Sequence, residues 1–338
     1  MSAHTTTIQL AHGGGGALGR NLIRDEIVSR FGAGPLKGLP DAARLALGSG
    51  ELLFTTDSFV VNPIEFPGGN IGSLAVHGTV NDLAVSGGRP RWLSMGLILE
   101  EGLPLDVLRR VLDALRAAAD ACSVQVVTGD TKVVARGQCD GLYINTAGIG
   151  EPIPGLRPDV ARIRTGDAVL VSGTLGDHGM AVLTARKGMD IHGGPVSDSA
   201  PVHRLVEAIA SLGDQIRFMR DPTRGGLAAV LNEIVEGRPV GVSLREADLP
   251  FAPGTRATAE LLGLDLLDVA CEGRVALVCD ARAVDAALAA WHRLPEGAGA
   301  RQVGVVSGER PGSVVLETLM GGRRLVDVPQ GELLPRIC

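Results

Sequence analysis

No run of lysine or arginine in the chain exceeds two residues, and the net charge is −6 with a pI near 5.7. A nucleic-acid partner leaves a basic footprint, so that class is set aside. No apolar run approaches the roughly 18 residues of a membrane span. Residues 1–19 lack a charged segment followed by an apolar one, so they do not read as a secretory signal. The expected location is therefore the cytoplasm. The five cysteines, Cys122, Cys139, Cys271, Cys279 and Cys338, are odd in number and contain no CxxC pair. That argues against a disulfide framework or a zinc ribbon. His12, His77, His178 and His192 show no metal-ligand spacing such as HxxxH. The phosphate loop GxxxxGK[ST] is also missing, because Gly13 to Gly19 neither follows a strand nor carries the lysine.

What is present is size, apolar content and glycine. A chain of 338 residues with 45% hydrophobic content can bury two cores, since single cores stop growing at roughly 250–300 residues. Its 47 glycines are about twice the usual roughly 7%, which suits loops that pass close to a ligand.

Residues 1–20, with their glycine run, read as a mobile arm. Strand-like segments are expected at 52–56, 92–99, 124–127 and 141–149 in the first half. Helices are expected at 74–85 and 105–121. The second of these has Leu105, Leu108, Val111, Leu112, Leu115, Ala118 and Ala119 on one stripe, with Pro104 at its entry. Residues 150–166 hold three prolines and no long apolar run, which marks a boundary. Beyond it, strands are expected at 168–172, 215–219, 275–278, 302–306 and 323–328. Helices are expected there at 179–187, 202–212 and 226–236.

One pattern recurs: a short apolar strand that ends in an acidic residue within a glycine- or threonine-containing loop. It occurs at Thr55-Thr56-Asp57, at Gly129-Asp130-Thr131-Lys132 and at Arg220-Asp221-Pro222-Thr223-Arg224-Gly225-Gly226. Ala270-Cys271-Glu272-Gly273 repeats it with a glutamate. Asp and Gly after one strand are ordinary turn formers; four such sites together point to more. Carboxylates converging at strand ends suit Mg²⁺ on a polyphosphate, which takes one or two carboxylates plus phosphate oxygens. Nearby lysine and arginine would neutralise charge in phosphoryl transfer.

Four cysteines sit in or beside apolar stretches and read as small buried hydrophobes. Cys338, the last residue, differs. Prenylation places cysteine fourth from the end, so it is excluded. A thiol on a tail containing glycine and proline is able to swing between a pocket and a partner and to accept an acyl group.

Thr55 to Val61, Phe66-Pro67-Gly68-Gly69 and Gly78 to Ala84 resemble the N-terminal half of the AIR-synthetase (PurM) superfamily. Asp130 to Val134, Arg220 to Gly226 and Ala270 to Gly273 continue the likeness, which spans nearly the whole chain. The terminal Pro335-Arg336-Ile337-Cys338 resembles the ending peculiar to the superfamily's hydrogenase-maturation branch.

The resemblance implies a two-domain α+β fold with mixed sheets and packed helices, a flexible N-terminal arm and a C-terminal tail. The expected divisions are an arm at 1–40, an ATP-binding and dimerising domain at 41–155, a C-terminal domain at 156–320 and a tail at 321–338. It further implies a homodimer, with Mg²⁺ and ATP beside Asp57, Asp82 and Asp221 as metal carboxylates. Asn81, Asp130, Thr131 and Arg224 join the nucleotide set. Lys132 is expected to polarise a phosphate or carbonyl, Glu272 to act as base, and Cys338 to carry the substrate.

The activity implied is ATP-dependent dehydration of a carbamoyl group on Cys338, S-carboxamide to S-cyanide with release of ADP and phosphate. A HypF carbamoyltransferase would supply the group. A HypC–HypD complex would receive the cyanide, destined for the iron of a NiFe-hydrogenase. The alternatives are a selenophosphate-synthetase-like or kinase-like enzyme, or a non-catalytic carbamoyl carrier.

Overall fold

The structure, a computed structural model, describes residues 17–29, 40–48, 50–328, 334 and 336–338. The glycine run of the expected arm lies outside them. Helix α1 (Ala17–Leu22) continues as a π turn over Ile23–Val28. Residues 17–20 are thus helical rather than a loose arm, and Arg20 ties them down through ion pairs to Glu233 at 3.9 Å and Glu236 at 3.2 Å.

The first domain runs β1 (Ala43–Leu47), β2 (Gly50–Phe59), a short β3–β4 ribbon (Glu65–Phe66, Gly69–Asn70), α2 (Ile71–Val85), β5 (Gly88–Glu100), α3 (Leu105–Ala121), β6 (Gln125–Val134) and β7 (Leu142–Pro152). Its sheet has the order β1-β2-β7-β5-β6. Only β5 and β6 run parallel, because α3 carries the chain back between them.

The second domain runs β8 (Ala168–Val171), α4 (Asp177–Arg186), α5 (His203–Ile209), β9 (Ile216–Arg220), α6 (Gly226–Val235), β10 (Gly241–Arg245), α7 (Pro253–Leu262), β11 (Ala276–Cys279), α8 (Val284–Trp291), β12 (Arg301–Ser307), β13 (Val314–Glu317) and β14 (Arg323–Leu325). The strand order is β14-β13-β10-β12-β8-β11-β9, with β10 and β13 parallel. The fold is a two-domain α+β arrangement with mixed sheets.

Two expected strand ends move. β2 continues through Asp57 to Phe59, and β6 continues through Asp130, Thr131 and Lys132 to Val134. Asp57 pairs in register with Thr146 of β7, and Asp130 with Gly96 of β5. Thr55, Thr56 and Phe59 in β2, and Thr131, Val133 and Val134 in β6, favour continued pairing. Asp57 and Asp130 are therefore side chains within strands, not members of strand-end loops. Asp221, directly after β9, does keep the expected place.

The two helices of the first domain illustrate two kinds of burial. On α3, Val111, Leu115, Ala118 and Ala119 face inward while Leu105 remains exposed. α2 is buried nearly all round and packs against α5 and β9 of the second domain. Asn70 starts α2, its side chain accepting from Gly72 N and Ser73 N. The Ser73 hydroxyl closes a capping box with Asn70. The core around Phe59, Ile71 and Leu74 extends into α4 and also takes in Leu334 and Ile337. The end of the chain is thus part of the central core.

Gly72 lets α2 approach α3, since a Cβ there would lie 2.1 Å from the Val111 carbonyl oxygen. Backbone cannot yield as a side chain does. Gly72→Ala is expected to destabilise the protein by about 1–3 kcal/mol, the usual cost of overpacking. The expected readout is a lower urea midpoint with unchanged slope; an unchanged midpoint would show that the two helices slide apart freely.

Candidate active site

Three acidic residues meet between the domains. Asp41 leads into β1, Asp82 lies on α2 and Asp221 follows β9. Each offers an oxygen within 4.8 Å of the others. The Thr55 hydroxyl on β2 is 2.8 Å from both the Asp82 carboxylate and the Asp41 carbonyl oxygen. Arg220 Nε donates to Asp41 at 2.9 Å, and Arg220 also pairs with Glu233. Asp57 stands beside the cluster. Gly78 of α2 makes room for it, because a Cβ there would lie 3.3 Å from Asp57 Oδ2 and 2.9 Å from the Phe59 ring.

Burial and mutual repulsion govern these groups. Burial first, then Asp221, Asp41 and Asp57, push the Asp82 carboxyl well above its usual range. Asp221 is pushed up to about 8, again by burial first and then by Asp41. Asp57 is raised by burial and drawn back by Arg224. Three carboxylate oxygens so close resist ionisation unless a cation joins them. An all-oxygen donor set suits a hard divalent ion such as Mg²⁺. The residues present therefore fit that metal.

Asp82 and Asp221 belong to the cluster as expected from the sequence. Asp41 takes the third place, with Asp57 adjacent. Asp41 escaped sequence reading because acids were sought after strands, whereas Asp41 precedes one. Applying the same search to strand starts would have found it. Asp41 also lines a cleft of about 700 Å³ between the domains, together with Arg44, Ser86, Arg157, Phe218 and Arg220.

The C-terminal residues dock against the other side. Val60 N donates to Cys338 O at 3.0 Å and Asn62 N to Arg336 O at 3.2 Å. Arg336 Nε returns a bond to Val60 O at 3.1 Å, while its guanidinium pairs with Asp140. Arg186 of α4 spans Asn62 O at 2.7 Å and Arg336 O at 2.6 Å. Ile337 is buried, and Cys338 is half-buried against the core.

The Arg224 guanidinium faces Cys338, Asp57, Glu272 and Asp82, of which Cys338 does most to hold its proton. Burial pushes the Cys338 thiol up to about 12, with Arg224 opposing and Glu272, Asp57 and Asp221 adding to the rise. Glu272 is 2% exposed, and its Oε1 has no hydrogen-bond partner among the described residues. Burial, then Asp221 and Asp57, raise its carboxyl well above the usual range. Cys338, Arg224, Glu272 and the acidic cluster thus share one pocket.

Asn81 is fully buried and holds backbone: its Nδ2 donates to Ala200 O and Glu272 O, both at 3.1 Å, and Val202 N donates to its Oδ1 at 2.8 Å. It positions the Glu272 loop. Asp130, Thr131 and Lys132 are not brought to the pocket of their own chain. They lie on the exposed strand β6, three strands from β2 and so about 14 Å away. Lys132 Nζ pairs with Asp130 at 2.7 Å.

Residues 40–151 match the family described as AIR synthase related protein, N-terminal domain, and residues 164–317 match its C-terminal domain. Fold and acidic cluster therefore sit on an AIR synthase related scaffold. Carbamoyl dehydratase HypE of Rhodobacter capsulatus is 46% identical over the full length of both chains. A solved HypE–HypF complex superimposes with a TM-score of 0.86 at 39% identity, covering 91% of this chain and 99% of that one. HypE in complex with ATP matches with a TM-score of 0.81 at 45% identity, covering 98% and 100%. Within the AIR synthase related class, the chain belongs to the HypE family. No helix among the described residues is long and apolar enough to cross a membrane.

The cluster makes a direct expectation. Asp41→Asn, Asp82→Asn and Asp221→Asn should each weaken Mg²⁺-dependent nucleotide binding about tenfold or more, as titration calorimetry would register, because each removes one of few ligand charges. Asp57→Asn should weaken it less. Equal losses at all four positions would place Asp57 inside the metal shell.

Proposed function

We propose that the chain dehydrates a carbamoyl group carried on Cys338, with ATP and Mg²⁺, leaving a nitrile on sulfur. The observation that carries this reading is the docked tail, which sets Cys338 beside Arg224 and Glu272 in the pocket of the acidic cluster. A passive carrier of carbamoyl groups has no use for such a cluster.

An amide does not lose its oxygen readily, because oxide is a poor leaving group. In the proposed reaction the thiocarbamate oxygen attacks the γ-phosphorus of ATP and ADP departs. The two N–H protons are removed, the C–O bond breaks, and phosphate leaves with the oxygen. Thiocarbamate and ATP thus become thiocyanate, ADP and phosphate. Mg²⁺ held by Asp41, Asp82 and Asp221 would screen the phosphate oxygens. The cleft onto which Asp41 opens is of a size to take a nucleoside. Arg224, close to the sulfur, balances developing negative charge.

Glu272 is the candidate base for the nitrogen protons. Its carboxyl is held well above the usual range, which favours the protonated form, and it must ionise before it can act. The active form is the deprotonated one, so the rate should climb as pH rises toward the folded pKa.

The thiol itself follows a second logic. Docked, Cys338 is a poor nucleophile, because its thiolate would be buried. Carbamoylation therefore belongs to an undocked tail, which suits transfer from a partner; the HypF seen with a relative is the proposed donor. The neutral thiocarbamate carries no such penalty and docks readily. Delivery of cyanide to a HypC–HypD complex, for a NiFe-hydrogenase iron, completes the proposed sequence.

A homodimer formed through β6 is part of the same reading. That edge strand leaves Val126, Val127 and Val133 exposed, which supports pairing with a second sheet. A role for Lys132 in the reaction then requires that a second subunit bring it in.

Intact-protein mass spectrometry tests the reaction. The HypF-carbamoylated protein given Mg-ATP should lose the mass of one water, and Cys338→Ala should never gain the carbamoyl mass. A carbamoyl mass that persists with ATP would leave a carrier; no carbamoylation would point to a sister enzyme. The dehydration rate should rise with pH as the raised Glu272 carboxyl ionises, and Glu272→Gln should remove that component of the rise. A Glu272→Gln protein with a normal rate and profile would remove Glu272 from the mechanism.

A further inference from the structure

His178 lies in the first turn of α4 and is completely buried. Its Nε2 is 2.6 Å from the Ile337 carbonyl oxygen, and its Nδ1 is 2.8 Å from the Ser197 hydroxyl. A carbonyl only accepts, so Nε2 carries the proton and Nδ1 accepts from Ser197. Ser197 is itself fixed in place. Its backbone N–H donates to Pro67 O at 2.8 Å, and its hydroxyl oxygen accepts from Ser199 N at 3.1 Å. The Phe66 ring meets the imidazole edge-on, with centroids 5.3 Å apart. Neighbours on every side therefore set the ring's orientation and its tautomer.

The backbone at His178 is tied to the reaction pocket as well. His178 N donates to Asp198 Oδ1 at 3.1 Å, and Glu272 N donates to the same oxygen at 3.2 Å. The other Asp198 oxygen faces Arg274 Nε at 3.4 Å. Gly273, next to Glu272, has no room for a side chain, since a Cβ would lie 1.9 Å from the Asp198 carbonyl oxygen. One carboxylate thus registers the group that holds the tail against the loop that bears Glu272.

We infer that His178 is a positioning residue: through its bond to the Ile337 carbonyl it sets the sulfur of Cys338 in register with Glu272 and Arg224. Ser197 selects the tautomer that can do so, and Asp198 carries the registration to Glu272. Nothing in the local sequence marks His178, which has no metal-ligand spacing to another histidine. The effect on turnover rests on the dehydratase reading above; the effect on tail docking does not.

Alkylation of Cys338 by N-ethylmaleimide, read by peptide mass mapping, measures docking alone. His178→Leu should speed it about tenfold or more, since it removes the donor to a buried carbonyl. His178→Gln keeps an N–H donor at a similar reach and should return the rate to within about threefold of wild type. Ser197→Ala should give a smaller rise and serves as the test if His178→Leu does not fold. On carbamoylated protein with saturating Mg-ATP, His178→Leu should lower the dehydration kcat about tenfold, with KM for ATP unchanged, and His178→Gln should restore it.

A folded His178→Leu protein alkylated at the wild-type rate would overturn the inference. So would faster alkylation with unchanged kcat, or a failure of glutamine to rescue either readout. If wild-type protein does not dehydrate at all, the dehydratase reading fails, and the alkylation series alone decides whether His178 holds the tail.

Discussion

Like charges held close in a partly buried place are the constraint to which much of this structure answers. At an effective dielectric of 20, two carboxylates a little under 5 Å apart repel by on the order of 3 kcal/mol. Asp41, Asp82 and Asp221 are nevertheless gathered there by β1, α2 and the turn after β9. Thr55 and Arg220 offset part of the cost by hydrogen bonding. Protons on Asp82 and Asp221 relieve more of it, which is what their raised pKa values express. A divalent cation would relieve the remainder. In the proposed site, the repulsion among these carboxylates would become affinity for the ion.

The tail meets that cluster from the opposite side, and its docking is chiefly backbone chemistry. Main-chain bonds to Val60 and Asn62, and contacts from His178 and Arg186 to main-chain carbonyls, hold it. Ile337 adds apolar burial. Only the sulfur is left with an unfavourable environment, and only when it is ionised. Docking therefore discriminates by charge: a thiolate is disfavoured, and a neutral acylated sulfur is accepted. In the proposed reaction this would give an order to acylation and dehydration without any moving part beyond the tail.

Much of the candidate site was legible because it is built from short contiguous stretches. Asp82, Asp221, Glu272 and Cys338 each sit in a local pattern of recognisable composition, and they do converge. Pairing across the sheet accounts for the elements that moved. Strand ends were placed at Gly and Asp residues, but pairing to a neighbouring strand carried β2 and β6 through them. Lys132, expected near the phosphate, lies on a strand across the sheet of its own chain, so a role for it at the site rests on the proposed second subunit. Asp41 and His178 offered no local signal that the chosen tests were able to detect, since each acts through partners far away in sequence.

Length, composition and local pattern by themselves pointed to two cores, to the acidic pattern and to the singular character of Cys338, and the motifs they form carried the resemblance that implied the class of fold. These properties depend on residue type and near spacing, which the chain carries unfolded. Which carboxylates lie together, which guanidinium faces the sulfur and where Cys338 docks were decided only by tertiary structure. Each depends on distances between segments separated by 40 to more than 270 residues, such as Asp41 to Asp82 and Val60 to Arg336. Repulsion, burial and hydrogen-bond geometry act over a few ångströms, and only folding brings those segments that close.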